Sequence, residues 1–323
     1  MITPKFWRTK NPIAYTLYPL GWVYGALTTL RIKLGRPKKV SKPVICIGNI
    51  TAGGTGKTPV AISIASILQN KGQKPFFISR GYGGKLSNVL VDPLTHNSSD
   101  VGDEPLLLSR QAPAVINSNR YQAAQIAIKE GAEIIIMDDG FQNPTLYKDV
   151  SFVVVDAGFG FGNRYCIPAG PLRERVSRGM KRADGIILVG KDENNLAKKL
   201  SKRHPVFRAT IQPVKPDITN TKVIAFAGIG RPSKFYDSLQ EIGFKIVKTI
   251  DFPDHHKYTE EELDKIIKEA DELGAEIYTT SKDFVKIPVS KQTHFKVLEI
   301  EIKWQDEQKL IDFIEEKINA KRK

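Results

Sequence analysis

A chain of 323 residues with 41% hydrophobic side chains is long enough for one large or two medium globular domains, each with its own core. Its two cysteines, Cys46 in an apolar run and Cys166 far from it, have neither paired nor metal-ligand spacing, which argues against a disulfide framework and a zinc site and fits a reducing compartment. The formal charge is +14, and the whole excess lies in the first 91 positions: fourteen Lys and Arg precede the first acidic residue, Asp92, and the remaining 35 basic and 35 acidic side chains cancel.

Such a basic cap attracts a polyanion or an anionic membrane surface. No zinc finger, RNA-recognition signature or basic zipper accompanies it, so nucleic acid is not the expected partner. Between Lys10 and Arg31 runs NPIAYTLYPLGWVYGALTTL, twenty uncharged residues that include Tyr15, Tyr18, Trp22 and Tyr24 and follow Phe6-Trp7. The length allows a membrane span. Pro19, Gly21 and the threonines weigh against one, no small-residue cleavage site follows, and Trp and Tyr prefer the headgroup layer. Residues 1–40 are therefore expected to form an amphipathic helix lying at a membrane interface, with a buried helix and a true span as alternatives. Each flanking Lys or Arg near an anionic surface adds about 1 kcal/mol to such binding.

From residue 43 the pattern becomes strand, loop, helix. PVICIGNI is a continuous apolar run of the kind buried in a parallel sheet, and TPVAISIASILQNKG reads as a helix closed by Gly72. The loop between them, Thr51-Ala52-Gly53-Gly54-Thr55-Gly56-Lys57-Thr58, places backbone N–H groups and a helix N-terminus around one anion. The pattern G-x-x-x-x-G-K-[ST] wants glycine where Thr51 stands, but Gly53 and Gly54 can supply the permissive turn one step later. Lys57 would then reach the outer phosphates of a nucleotide, and the Thr58 hydroxyl would hold Mg2+.

KPFFISRGYGG repeats the strand-then-glycine theme; PAVIN (strand), RYQAAQIAIKEG (helix), AEIIIMDDG (strand), SFVVVDAG (strand) and ADGIILVG (strand) follow. Together they describe a doubly wound, mostly parallel sheet, a P-loop NTPase-like α/β domain over residues 41–205. Asp138-Asp139-Gly140 ends one of these strands and has the form of a magnesium-binding acidic motif, one carboxylate turned to the metal and the other behind it. The bland alternative is an Asp-Gly turn. A smaller α/β domain over 216–293 opens with a glycine turn in AGIGRPSKF. It is flanked by the extended segments 206–215 and 294–304, expected to pair as a two-stranded linker, and residues 305–323 form a C-terminal helix. P-loop switch or targeting ATPases and GTPases, which act on protein partners, often carry a lysine just before the paired glycines. Here that position is Ala52, which counts against this alternative function.

The ordered motifs GNITAGGTGKTP, SRGYGG, VGDEP, DDGFQ, PAGPLRE and FPDHHKY closely resemble tetraacyldisaccharide 4'-kinase, the lipid A 4'-kinase family of Gram-negative bacteria, and the resemblance runs on to TTSKDFVKI near residue 287. It implies ATP- and Mg2+-dependent phosphorylation of the 4'-hydroxyl of an acylated glucosamine disaccharide 1-phosphate, by a peripheral, monotopic enzyme on the cytoplasmic face of the bacterial inner membrane, with no obligate protein partner. It also implies roles. Asp103 of VGDEP matches the catalytic aspartate and His255 of FPDHH the histidine that partners it from the second domain. Arg173 and Glu174 of GPLRE match active-site positions, the glutamate toward metal. Arg80, Tyr82, Arg120 and Gln142 match positions on the acceptor side. By themselves VGDEP would read as a surface turn and DHH as a loop able to bind metal. The implied chemistry is consistent: phosphoryl transfer is governed by positioning and charge neutralisation, which Lys57 and Arg173 can supply, and a carboxylate is a weak base that a neighbouring histidine can orient.

Overall fold

The computed structural model describes residues 4–216 and 221–322. Asn11 accepts from the N–H of Ala14 and Pro12 takes the first helical position, so α1 (Pro12–Leu34) begins at a satisfied cap and continues through Pro19. The apolar runs then form fully buried strands: β1 (Val44–Gly48) leads through the glycine loop into α2 (Lys57–Asn70), followed by β2 (Pro75–Ser79). A two-residue strand β3 (Val89–Leu90), the short helices α3 (Ser98–Val101) and α4 (Asp103–Ser109), β4 (Ala114–Ile116) and α5 (Arg120–Lys129) come next. The first unit is completed by β5 (Ile134–Asp138), β6 (Val150–Asp156), α6 (Val176–Met180), β7 (Gly185–Val189), α7 (Leu196–Leu200) and β8 (Val206–Pro213).

The second unit comprises β9 (Lys222–Ala227), α8 (Pro232–Glu241), β10 (Lys245–Asp251), α9 (Glu260–Leu273), β11 (Glu276–Thr279), α10 (Ser281–Phe284) and β12 (Phe295–Val297). The chain then returns through β13 (Ile300–Trp304) to α11 (Glu307–Arg322), whose Leu310 and Ile314 are buried in the core of the large sheet.

Nine strands form the large sheet in the order β13-β8-β7-β6-β1-β5-β2-β4-β3, and four form the small one in the order β10-β9-β11-β12. In the large sheet only the outermost pairs, β3 with β4 and β13 with β8, are antiparallel. Apolar cores cover both faces of each sheet, as continuous rather than alternating strand sequences require. Register places Ile47 level with Asp138, so β1 and β5 end side by side and deliver the glycine loop and the acidic pair to one place.

Two sequence expectations need correction. HFKVLEIEIKW is not one linker strand: Phe295–Val297 adds to the small sheet beside β11, and only Ile300–Trp304 pairs antiparallel with Ala209–Pro213. Leu298 is buried under the small sheet, so the chain changes partner there. The second concerns α1, which is present but is not divided into apolar and charged faces. A narrow stripe of Ala14, Gly21 and Gly25 is buried, and a Cβ on Gly21 or Gly25 would lie 2.5 Å from the Cys166 carbonyl oxygen or 2.8 Å from its Sγ. Large apolar side chains, among them Tyr15, Leu20, Trp22, Leu27 and Leu30, stand outward and exposed. Among the described residues no helix is long and apolar enough to cross a membrane.

Candidate active site

The glycine loop adopts the shape its composition allows. Gly53 (φ 109°) and Gly56 (φ 84°) take the left-handed region that side chains disfavour, and Gly56 caps α2 directly before Lys57. Thr51, in the place of the missing glycine, is buried and bridges to Leu172 in an antiparallel pair, so no glycine is needed there. The Ala52 N–H donates to the Pro171 carbonyl at 2.7 Å, and Gly53, Gly54, Thr55, Gly56, Lys57 and Thr58 follow it into the start of α2. Asn49 Nδ2 donates to Thr55 Oγ1 at 3.1 Å and braces the loop from beneath.

The acidic pair divides its work. Asp138, buried at the end of β5, accepts from Thr58 Oγ1 at 3.1 Å. Burial, reinforced by the charge of Glu104, raises its pKa to about 7. Asp139 sits at φ 49° and turns the other way, receiving Arg173 Nη1 on both carboxylate oxygens (2.9 and 3.0 Å) and Lys57 Nζ at 3.6 Å. Burial alone would raise Asp139, but Lys57 and Arg173 outweigh it and hold the carboxyl below its ordinary value.

Asp103, at the start of α4, and His255, after β10, meet across the two sheets with His255 Nδ1 3.1 Å from Asp103 Oδ2. The two adjacent histidines are separated by backbone conformation. His255 has a φ of 62° and half-exposes its ring, whereas His256 stacks on Phe252 and bonds Glu262. Tyr82 is exposed, edge-on to the His255 ring at 6.4 Å between centroids. Arg80 is exposed near it in sequence, and Arg120 lies buried behind, its pKa lowered to about 10 by burial and by the charge of Arg80. Arg120 Nη1 donates to the Asn117 carbonyl, while its buried Nε has no partner.

Two further expected site residues are engaged with neighbouring side chains. Glu174 is completely buried, with its oxygens 2.7 and 2.8 Å from the Arg182 guanidinium and 3.0 Å from Gln142 Nε2, so it is not presented to the Thr58–Asp138 pair. Gln142 donates to Glu174 and to the Asn49 carbonyl at 2.8 Å, and both residues brace the loop from behind.

The comparisons with known proteins decide the family. The family model for tetraacyldisaccharide-1-P 4'-kinase (LpxK) matches residues 13–319. The chain is similar to the tetraacyldisaccharide 4'-kinases of Parvibaculum lavamentivorans (48% identity over 90% of this chain and 89% of that one) and Rhodospirillum rubrum (44%, 94% and 93%). It also resembles the crystal structure of LpxK from Aquifex aeolicus in complex with ATP, with a TM-score of 0.78, 25% identity and coverage of 94% of this chain and 99% of that one. The chain belongs to the tetraacyldisaccharide 4'-kinase family. It is a kinase, and a switch acting on a protein partner is not favoured.

The residues present suit the magnesium that accompanies ATP in a tetraacyldisaccharide 4'-kinase. Thr58 Oγ1 and Asp138 Oδ2 are hard oxygen donors already side by side at the loop. Among the described residues no group of three or more His, Cys, Asp or Glu could hold a metal ion. Sequence reasoning missed the contacts that join the two sheets around this site. Lys282 Nζ lies 3.0 Å from Glu104 Oε1, and Arg231 and Lys234 both reach Asp156 Oδ2 at 3.2 and 3.3 Å. Partners 178 and 75 residues apart leave no local pattern, although Glu104 and Lys282 both lie inside motifs that carry the resemblance.

Proposed function

We propose that Asp103 and His255 drive transfer of the γ-phosphoryl group of ATP to the 4'-hydroxyl of an acylated glucosamine disaccharide 1-phosphate, at the cytoplasmic surface of the inner membrane. Phosphorylation of this lipid A precursor is the activity of the family. The observation that carries the roles is the 3.1 Å contact between Asp103 and His255, contributed by different sheets beside a phosphate loop. Proximity to that loop is supported by Glu104, the next residue, whose charge acts on Asp138.

In this reading Asp103 accepts the hydroxyl proton as the oxygen–phosphorus bond forms and the bond from the γ-phosphorus to the departing ADP oxygen breaks, and His255 holds the carboxylate in line. Lys57 and Arg173, which rest on Asp139, turn to the phosphate oxygens and neutralise developing charge. Thr58 and Asp138 would hold magnesium, which would supply further charge neutralisation. Tyr82, Arg80 and Arg120 line the acceptor side, the first two exposed to an arriving sugar. The outward apolar side chains of α1, with Lys10, Arg31 and Lys33 at its ends, hold the enzyme where the acyl chains stay in the bilayer. No nucleic acid or protein partner is needed.

Purified protein with ATP, Mg2+ and the acylated disaccharide 1-phosphate in mixed micelles tests this directly. A lipid product with a second phosphorus resonance at the 4'-position is expected. ATP turnover without a phosphorylated lipid would reject the proposal.

A further inference from the structure

Both halves of the Asp103–His255 pair are tied to one short turn, α10. Asp283 in that turn is fully buried and accepts from the Gly228 N–H (3.0 Å), Thr280 Oγ1 (2.7 Å) and Lys286 Nζ (2.7 Å). The carbonyl of the same Gly228 receives the His255 N–H at 3.2 Å. Thus a buried carboxylate fixes the residue on which the catalytic histidine's backbone hangs. That support matters because His255 sits at φ 62°, a region a non-glycine residue keeps only when its surroundings enforce it. A Cβ on Gly228 would lie 3.0 Å from Tyr258 Oη and 3.1 Å from both Asp283 Oδ1 and the Pro253 carbonyl oxygen, so a side chain there would press these neighbours apart by a few tenths of an ångström.

The neighbouring residue, Lys282, points the other way. Its ammonium bonds Glu104, adjacent to Asp103, at 3.0 Å, and both side chains are about a third exposed. Burial alone would lower its pKa, but Glu104 outweighs burial and keeps Lys282 charged. Buried ion pairs such as Asp283–Lys286 are weak devices for stability, because desolvation offsets much of their attraction. Holding a geometry is the better use.

We propose that Lys282 and Asp283 are positioning residues for phosphoryl transfer: α10 sets the separation of the pair, Lys282 acting through Glu104 on Asp103 and Asp283 through Gly228 on His255. The inference rests on the reading of Asp103 and His255 as the transfer pair. A misplacement of about 1 Å is enough to cost on the order of a hundredfold in rate.

The test measures transfer kinetics and ATP affinity for Lys282→Met, Lys282→Arg, Asp283→Asn and His255→Gln, with Lys282→Met also in the His255→Gln background. Lys282→Met and Asp283→Asn should each lower kcat by about tenfold or more while leaving the ATP Kd unchanged. Lys282→Arg, which keeps a charge able to reach Glu104, should recover most of the loss. In the His255→Gln background, Lys282→Met should cost less than about twofold, because residues acting as a unit are not additive. Full kcat in Lys282→Met, or an undiminished further loss in the His255→Gln background, overturns the inference; the second outcome would place the lysine on the phosphoryl group itself. If Asp283→Asn does not fold, the Lys282 variants decide. Unchanged transfer in His255→Gln would instead overturn the underlying reading of the pair.

Discussion

Burial and the nearby charge of Glu104 push the Asp138 carboxyl up to about 7, whereas Lys57 and Arg173 hold Asp139 below the ordinary carboxylate value although burial opposes them. The two neighbours therefore affect stability with opposite signs. Between the unfolded carboxylate pKa of about 3.9 and the raised native value, folded Asp138 binds more protons than unfolded Asp138, so its contribution to stability falls as pH rises through that window. Asp139, with a depressed native pKa, contributes stability above the unfolded value and loses it as pH falls through the native one. Without nucleotide and metal, Asp138→Asn should raise Tm at pH 8 by about 2–4 °C, with the gain shrinking toward pH 5. Asp139→Asn should lower Tm at pH 8. Thermal unfolding across pH checks both, and a Tm gain for Asp138→Asn that is independent of pH would contradict the assignment. Lys57 and Thr58 were readable because a phosphate loop places them at fixed local spacing, and the acidic pair because it closes a continuous apolar strand. Nothing in PAGPLRE announces that Arg182 would occupy the oxygens of Glu174.

Among the elements, α1 shows most clearly what apolar composition leaves undecided. The sequence marks a helix-length uncharged segment, but only the packing shows that its small residues face inward against Cys166 and Ala169 while its large ones face out. Large exposed apolar surface on a folded protein marks an interaction site. Replacing Leu20, Leu27 and Leu30, all at least half exposed, by serine removes about 1.5–3 kcal/mol of apolar transfer per side chain if each enters the acyl layer. Binding to vesicles containing anionic lipid should then weaken by at least about a hundredfold, and unchanged co-sedimentation would refute α1 as the anchor. The split of HFKVLEIEIKW between two sheets was hidden for a different reason. Strand propensity continues unbroken through the segment, and the change of partner at Leu298 is a tertiary choice.

Across the whole molecule, two sheets are connected by the β8–β13 ribbon and meet at polar contacts that include Asp103 with His255, Glu104 with Lys282, and Asp156 with Arg231 and Lys234, and at Val285, which is buried in the core of the large unit. Buried parallel strands made the large unit legible from continuous apolar runs. The contacts between units were not legible as pairs, and Asp103 with His255 was anticipated only through the order of the motifs. Because Asp103 and His255 come from different units, the pair is complete only when both units are in place. The central claim is that Asp103 serves the transfer step rather than nucleotide binding. Asp103→Ala compared with wild type, for lipid phosphorylation and for ATP affinity, tests it most directly. The expected result is a loss of at least about a hundredfold in kcat with the ATP Kd within about twofold; equal losses in transfer and in ATP binding would contradict the account and move Asp103 to the nucleotide.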